Sequence, residues 1–181
     1  YCTPTRAERD AVCNACHRSD DVAALEASLH AGIDPNTVDT NGATPVAGYK
    51  TAPLLVIAAG ENHEGTVDAL LAAGADVDKA KKDNGATALY VAADEGHLPV
   101  VERLIAAGAD VDKARTDCGF TPLFIAAHEG HLPVVERLIA AGADVDKATT
   151  DDGSTPLYIA VQEGHLPVVE RLIAAGADVD K

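Results

Sequence analysis

The chain contains no tryptophan and no methionine, and aromatic residues make up only 3% of it. Its core must therefore be built from Ala, Val, Leu and Ile, through close contacts of small side chains rather than around a few bulky anchors. Long apolar runs are also missing. The longest, Ala52 to Ala59, is far too short to cross a bilayer, and no signal-peptide pattern is visible. No membrane insertion is expected. Four cysteines, Cys2, Cys13, Cys16 and Cys118, are too few and too unevenly placed for a disulfide scaffold, which fits an intracellular, reducing compartment by default. Positive charge is scarce: 14 Lys and Arg face 29 Asp and Glu, a net charge of -15. Such a field repels phosphate backbones, so nucleic acid is a poor partner and a basic protein an easier one. Phosphate-binding glycine loops are absent, and no nucleophile, base and orienter converge. The sequence thus points to no enzyme and no cofactor.

What is present is a period. The stretch EGHLPVVERLIAAGADVDKA fills residues 95–114, recurs unchanged at 129–148, and recurs again from 163 to Lys181. Gly74, Gly108, Gly142 and Gly176 are spaced by 34. Gly32, in HAGIDPN, precedes Gly74 by 42, so eight extra residues separate the first two copies, an insertion near 43–52. Internal repetition on this scale signals a stacked repeat architecture.

Each copy reads as two short helices. In the third, Thr87 is the expected N-cap, and Leu89, Ala92 and Ala93 form an apolar stripe. Gly96 breaks the first helix. The second begins near Leu98 with Pro99 in its first turn, buries Val100, Val101, Leu104 and Ile105, and ends at Gly108. Thr121-Pro122 and Thr155-Pro156 repeat the cap. The segments between copies, such as ADVDKARTDCGF, read as extended hairpins.

GFTPLFIAAHEGHLPVVERLIAAGADVDKA resembles an ankyrin repeat, through T-P-L, the paired alanines, G-H-L, V-V and G-A-D-V. The resemblance covers residues 11–181 and implies an all-α ankyrin solenoid of five helix pairs, preceded by a segment at 1–10. The repeats fall at about 11–36, 37–78, 79–112, 113–146 and 147–181. Three departures stand out. The period is 34 against roughly 33 in the family. The usual His after T-P-L is aromatic: Tyr90, Phe124 and Tyr158. The usual Asn after G-A-D-V is Asp at 78, 112, 146 and 180, and only Asn36 keeps the amide. The resemblance also implies that His97, His131 and His165 support the turn between helices. The hairpin aspartates read as turn residues, so neither set is expected to hold a metal.

Residues 11–25 contain Cys13, Cys16 and His17 in the order C-x-x-C-H, a haem-attachment spacing. Counting back from Gly32 places them on the positions of Leu89, Ala92 and Ala93, where small apolar residues belong. That register favours a core role over haem, or over zinc held with Cys2.

Since residues 95–114 and 129–148 are identical, selectivity has to lie where the copies differ. In ankyrin proteins those places are the hairpin tips and the concave helix face. The candidate partner-binding residues are Tyr90, Asp94, Arg115, Phe120, Phe124, His128, Tyr158 and Gln162. The expected function is a non-enzymatic scaffold for a protein partner. The alternative is a structural or accessory subunit of a filament or larger assembly, self-associating through an uncapped C-terminal repeat in which Val168, Val169, Leu172 and Ile173 lack a neighbour. The start at Tyr1 and the stop in mid-hairpin lead to the expectation of a piece of a longer protein, or of an end that packs on something else.

Overall fold

The computed structural model describes residues 22–30, 32, 34–36 and 52–181. The 1–10 segment, most of the insertion, the first helix of the first repeat, and Cys2, Cys13, Cys16 and His17 lie outside the described residues. Among the described residues there are nine helices and no strand. They are α1 (Val22–His30), α2 (Leu54–Gly60), α3 (Glu64–Ala72), α4 (Ala88–Asp94), α5 (Leu98–Ala106), α6 (Pro122–His128), α7 (Leu132–Ala140), α8 (Pro156–Gln162) and α9 (Leu166–Ala174). The first helices α2, α4, α6 and α8 stack in one layer, and the second helices α1, α3, α5, α7 and α9 stack in another.

Local chemistry sets the helix ends. Thr87, Thr121 and Thr155 cap α4, α6 and α8, each Oγ1 accepting from the backbone N–H three residues on, at 3.1–3.2 Å. Pro122 and Pro156 enter in the first turn, where no N–H is missed. Gly96, Gly130 and Gly164 turn the chain between helices at φ 73°, 75° and 78°, a region that penalises a Cβ. Gly108, Gly142 and Gly176 close the second helices in the same left-handed region.

The core is the expected aliphatic one. Leu54, Ile57, Leu70, Leu89, Leu104, Leu123, Leu138 and Leu172 are fully buried. Each contributes about 2 kcal/mol relative to exposure. Ala92, Ala93, Ala126 and Ala127 are also fully buried, and their small size lets neighbouring first helices approach closely. Ile105 is only partly covered.

Contacts between units follow a fixed polarity. Thr116 N–H of the fourth unit donates to the Asn84 carbonyl of the third at 2.9 Å, and Lys113 Nζ, at the start of the fourth, donates to the Asp78 carbonyl, at the end of the second, at 2.9 Å. His131 Nε2 donates to the Asp94 carbonyl at 3.0 Å, and Asp110 and Asp144 N–H donate to the Asp78 and Asp112 carboxylates at 3.1 and 3.0 Å. The fifth unit repeats the pattern one period on, through Lys147, Thr150, His165 and Asp178. Donors face the preceding unit and acceptors face the next.

Three sequence-level expectations change. His97, His131 and His165 do more than support their own turns. Each sends Nε2 to a carbonyl of the preceding unit, at 2.9–3.1 Å, which fixes the proton on that nitrogen. The intervening segments are turns rather than extended hairpins. Each closes on itself by single bonds such as Lys81 N–H to the Ala86 carbonyl and joins its neighbour by one more, so no ladder forms. At the last unit, Val168 and Leu172 are buried by their own helix pair. The open side chains are Val161, Leu166, Ile173, Val179 and Tyr158. A helix pair covers one apolar stripe internally and leaves a second for the next unit.

The histidine stack can be checked through the glycines beneath it. A Cβ on Gly130 would lie 2.6 Å from the His165 ring, whereas one on Gly164 meets nothing within 4 Å. Gly164→Ala is expected to cost about 1–2 kcal/mol through its backbone alone. Gly130→Ala should cost about 1 kcal/mol more, because the ring and its inter-unit bond are displaced. Urea unfolding of the two variants measures the difference, and equal losses would remove the histidine stack as a tie between units.

Candidate partner-binding surface

The variable residues come together at the turn tips and along one edge of the first-helix layer. The tip of the fourth unit is built around Arg115. Its Nε donates to Asp117 Oδ1 at 3.0 Å, and its guanidinium lies 5.4 Å from the centroid of the Tyr90 ring. Arg115 Nη1 also reaches Tyr90 Oη at 3.4 Å. The hydrogen bonds from Arg115 pull the Asp117 carboxyl down to about 2. Burial raises the neighbouring Cys118 thiol above its ordinary range. Phe120 stacks on Phe124 with ring centroids 4.5 Å apart and planes tilted by 32°.

Tyr90 and Phe124 are each only 3% exposed, so they do not present their faces to a partner. Arg115 of the following tip lies over Tyr90, and Phe120 of its own unit's tip stacks on Phe124. They form the floor of the surface. Tyr158, in the same position of the last unit, is 54% exposed because no tip covers it.

Asp94, His128 and Gln162 occupy the last residue of successive first helices. Asp94 and His128 are partly exposed and Gln162 is exposed. Burial raises the Asp94 carboxyl above its ordinary value, and the charges of Glu129 and Glu95 raise it further. His128 Nδ1 lies 2.7 Å from Glu129 Oε1, and Gln162 Nε2 donates to Glu163 Oε1 at 3.3 Å. Glu95 and Glu129 belong to the repeated segment, so a search for differences between copies passes over them. They nonetheless set the electrostatics around Asp94.

No group of three or more His, Cys, Asp or Glu side chains able to hold a metal is present among the described residues. Nor is any helix among them long and apolar enough to cross a membrane. The turn aspartates accept backbone N–H bonds instead. The Asp78, Asp112 and Asp146 carboxylates do so from the next unit, as Asn36 Oδ1 does from Asp76 N–H at 2.8 Å.

A family model described as ankyrin repeats (3 copies) matches residues 12–115 and 111–181. No curated protein matches the chain.

Tyr90 offers a test of the covered tip. Burial pushes its phenol up from 10.0 to about 12, against the smaller opposing pull of Arg115. A raised value favours the neutral form in the folded state, so this contribution to stability is whole below pH 10 and is lost as pH rises towards 12. Phenolate absorbance during a pH titration should show a step near pH 12 that Tyr90→Phe removes. A Tyr90 that titrates at the ordinary phenol value would mean that the Arg115 tip does not cover it.

Proposed function

The chain belongs to the ankyrin-repeat family, whose repeats are generally protein–protein interaction modules, and from that premise we propose that it is a non-enzymatic scaffold binding a protein partner through its turn tips and concave helix face. One observation carries the reading. The residue ending each first helix makes its inter-unit bond through its main-chain carbonyl. Gly60, Asp94 and His128 all accept from the next histidine, at 2.9–3.1 Å, despite unrelated side chains. The backbone therefore holds the stack whatever the side chain is, and the side chain is left for recognition. Gly60, Asp94, His128 and Gln162 give four chemistries along one row. Arg115, Phe120 and Tyr158 extend this surface at the tips, over the floor of Tyr90 and Phe124.

The partner is basic at the point that meets Asp94. That carboxylate is partly desolvated and crowded by Glu129 and Glu95, against the smaller opposing pull of Arg115 and His128, neither of which is hydrogen-bonded to it. A Lys or Arg from a partner relieves this repulsion, so binding strength comes from a group that destabilises the free chain. Electrostatic steering by the acidic surface raises the association rate, which falls with added salt.

Two measurements test this together. Asp94→Asn removes a charge whose proton affinity is raised by folding, so the folded chain should unfold at a higher temperature at neutral pH. The same change combined with His128→Ala should weaken the protein that co-purifies with the full chain by about tenfold or more. A partner held equally well by the double variant would exclude this row from the binding surface.

The open apolar side chains of the last unit favour a second reading, in which the chain is a subunit of a larger assembly joined through that end. Leu157, Tyr158, Val161, Val169, Ile173 and Val179 line a groove of about 320 Å³ there. Sedimentation of the full chain, alone and with the proteins that accompany it, measures this. A single-chain mass throughout would end the assembly reading.

A further inference from the structure

Asn84 and Gly85 form an Asn–Gly pair at the tip of the third unit, and the chain's other such pair is Asn41–Gly42. An Asn–Gly pair is open to hydrolysis through its own backbone, because glycine puts no Cβ in the way when its nitrogen approaches the asparagine side-chain carbonyl. The tip holds every group this reaction needs. Asn84 Oδ1 accepts from Ala86 N–H at 3.1 Å, which fixes the side chain. Gly85 N–H donates to the Lys81 carbonyl at 3.0 Å, and the Asn84 carbonyl accepts from Thr116 N–H at 2.9 Å. The last two bonds lie on one peptide group, and a peptide group turns as a plane. Freeing the Gly85 nitrogen therefore also pulls the Asn84 carbonyl away from the fourth unit. Thr116 packs closely on this plane: a Cβ on Gly85 would lie 2.7 Å from its side chain. Asn84 is partly exposed and Gly85 is buried.

We propose that Asn84 is a site of hydrolytic deamidation, held closed by the joint between the third and fourth units, and that its iso-aspartyl product cannot re-form that joint. When the joint opens, the Gly85 nitrogen gives up its proton and attacks Asn84 Cγ. The N–Cγ bond forms, the Cγ–Nδ2 bond breaks, and the amide nitrogen leaves as ammonia with that proton. The cyclic imide then takes up water from solvent. Water at Cγ breaks the new bond and leaves an aspartyl residue. Water at the main-chain carbonyl carbon breaks the original peptide bond and leaves a backbone that runs through Cβ and Cγ. Either way water is consumed and ammonia released. The tip tolerates the first product. In the fifth unit Asp152 stands in the same place, its Oδ1 accepting from Ser154 N–H at 3.0 Å as Asn84 Oδ1 accepts from Ala86 N–H, and Gly85 and Gly153 share a φ of 76°. The second product lengthens the tip by a methylene and turns the carbonyl that Thr116 bonds into a free carboxylate, so the register of that bond is lost. Cys118 fills the equivalent place in the fourth unit, so of these three tips only the third carries the amide.

Loss of the Asn84 amide is followed by peptide mapping and mass spectrometry, which separates it from Asn41, in the full chain at mildly alkaline pH. The chain is incubated folded and in unfolding urea. Three hydrogen bonds hold the reacting groups, and at about fivefold each they should make the folded chain about a hundredfold slower than the unfolded one. Thr116→Pro deletes one of these donors and should speed the reaction in the folded chain about fivefold. Thr150→Pro makes the same lesion one joint on, at the Cys118 carbonyl, and should leave the rate at Asn84 unchanged. The folded and unfolded parent are compared without any variant, so the result stands even where Thr116→Pro does not fold. Equal rates in folded and unfolded parent, an amide that survives in urea, or equal acceleration by the two proline variants would overturn the inference. The products are then separated by chromatography. The aspartyl form, and the variant Asn84→Asp, should unfold at the parent's urea concentration, while the iso-aspartyl form should show a folding equilibrium about tenfold lower. Products of equal stability would show that the tip absorbs the longer backbone, and the claim that the joint cannot re-form would fall.

Discussion

Each helix pair depends on the one-way register of bonds to its neighbours. The described first helices have seven residues each and the second helices nine, lengths at which an isolated helix is not stable in water. A unit acquires order only when its donors find the previous unit's acceptors and its alanines meet the next first helix. The spacing of those bonds explains the strictness of the period. Thr116 and Asn84 are 32 residues apart, Lys113 and Asp78 are 35, and His131 and Asp94 are 37. One residue added to an internal tip would have to be absorbed by all of them together. The insertion between the first two copies shows how an addition is accommodated. The Asn36–Asp76 bond spans 40 residues where its downstream equivalents span 32, longer by the eight inserted residues. The loop is longer, and the bond between units is kept.

The same register accounts for much of the acidity. The joint needs an oxygen acceptor at 78, 112 and 146, and a carboxylate meets that need as an amide does at Asn36. Duplicating the unit duplicates the charge. A net charge of -15 is therefore weak grounds by itself for a basic partner. Asp94 carries that argument, because its carboxylate makes no joint and is raised by burial and by neighbouring acids.

What could be read from the sequence follows the same division. Caps, helix starts, glycine turns and the leucine core depend on chemistry inside one unit, and Thr87, Pro122, Gly108 and Leu104 state it locally. Relations between units were harder to read. Periodicity reveals that units recur without revealing which side chains reach across, so the bonds that His97, His131 and His165 make to the preceding unit are not legible in it. A usable signal was their strict repetition with no task inside the unit. The burial of Tyr90 and Phe124 is hard to read for the opposite reason. They vary between copies, but the Tyr–Phe exchange conserves shape and volume, which marks a packed position as much as a recognition site. The residues at 94, 128 and 162 change in charge, size and polarity at once, which packing would not tolerate.

The chain separates constant joints from variable side chains at the level of single residues. Two rows meet the next unit through main-chain carbonyls alone: Asn84 and Cys118 at the tips, and Asp94 and His128 at the helix ends. A carbonyl is the same group in every residue, so both rows accept unrelated side chains while the joint stays constant. Rows that use side chains for the joint behave in the opposite way. His97, His131 and His165 are invariant, as are Lys113 and Lys147 and the aspartates they approach. Variation between these copies therefore maps where the backbone alone carries the stack.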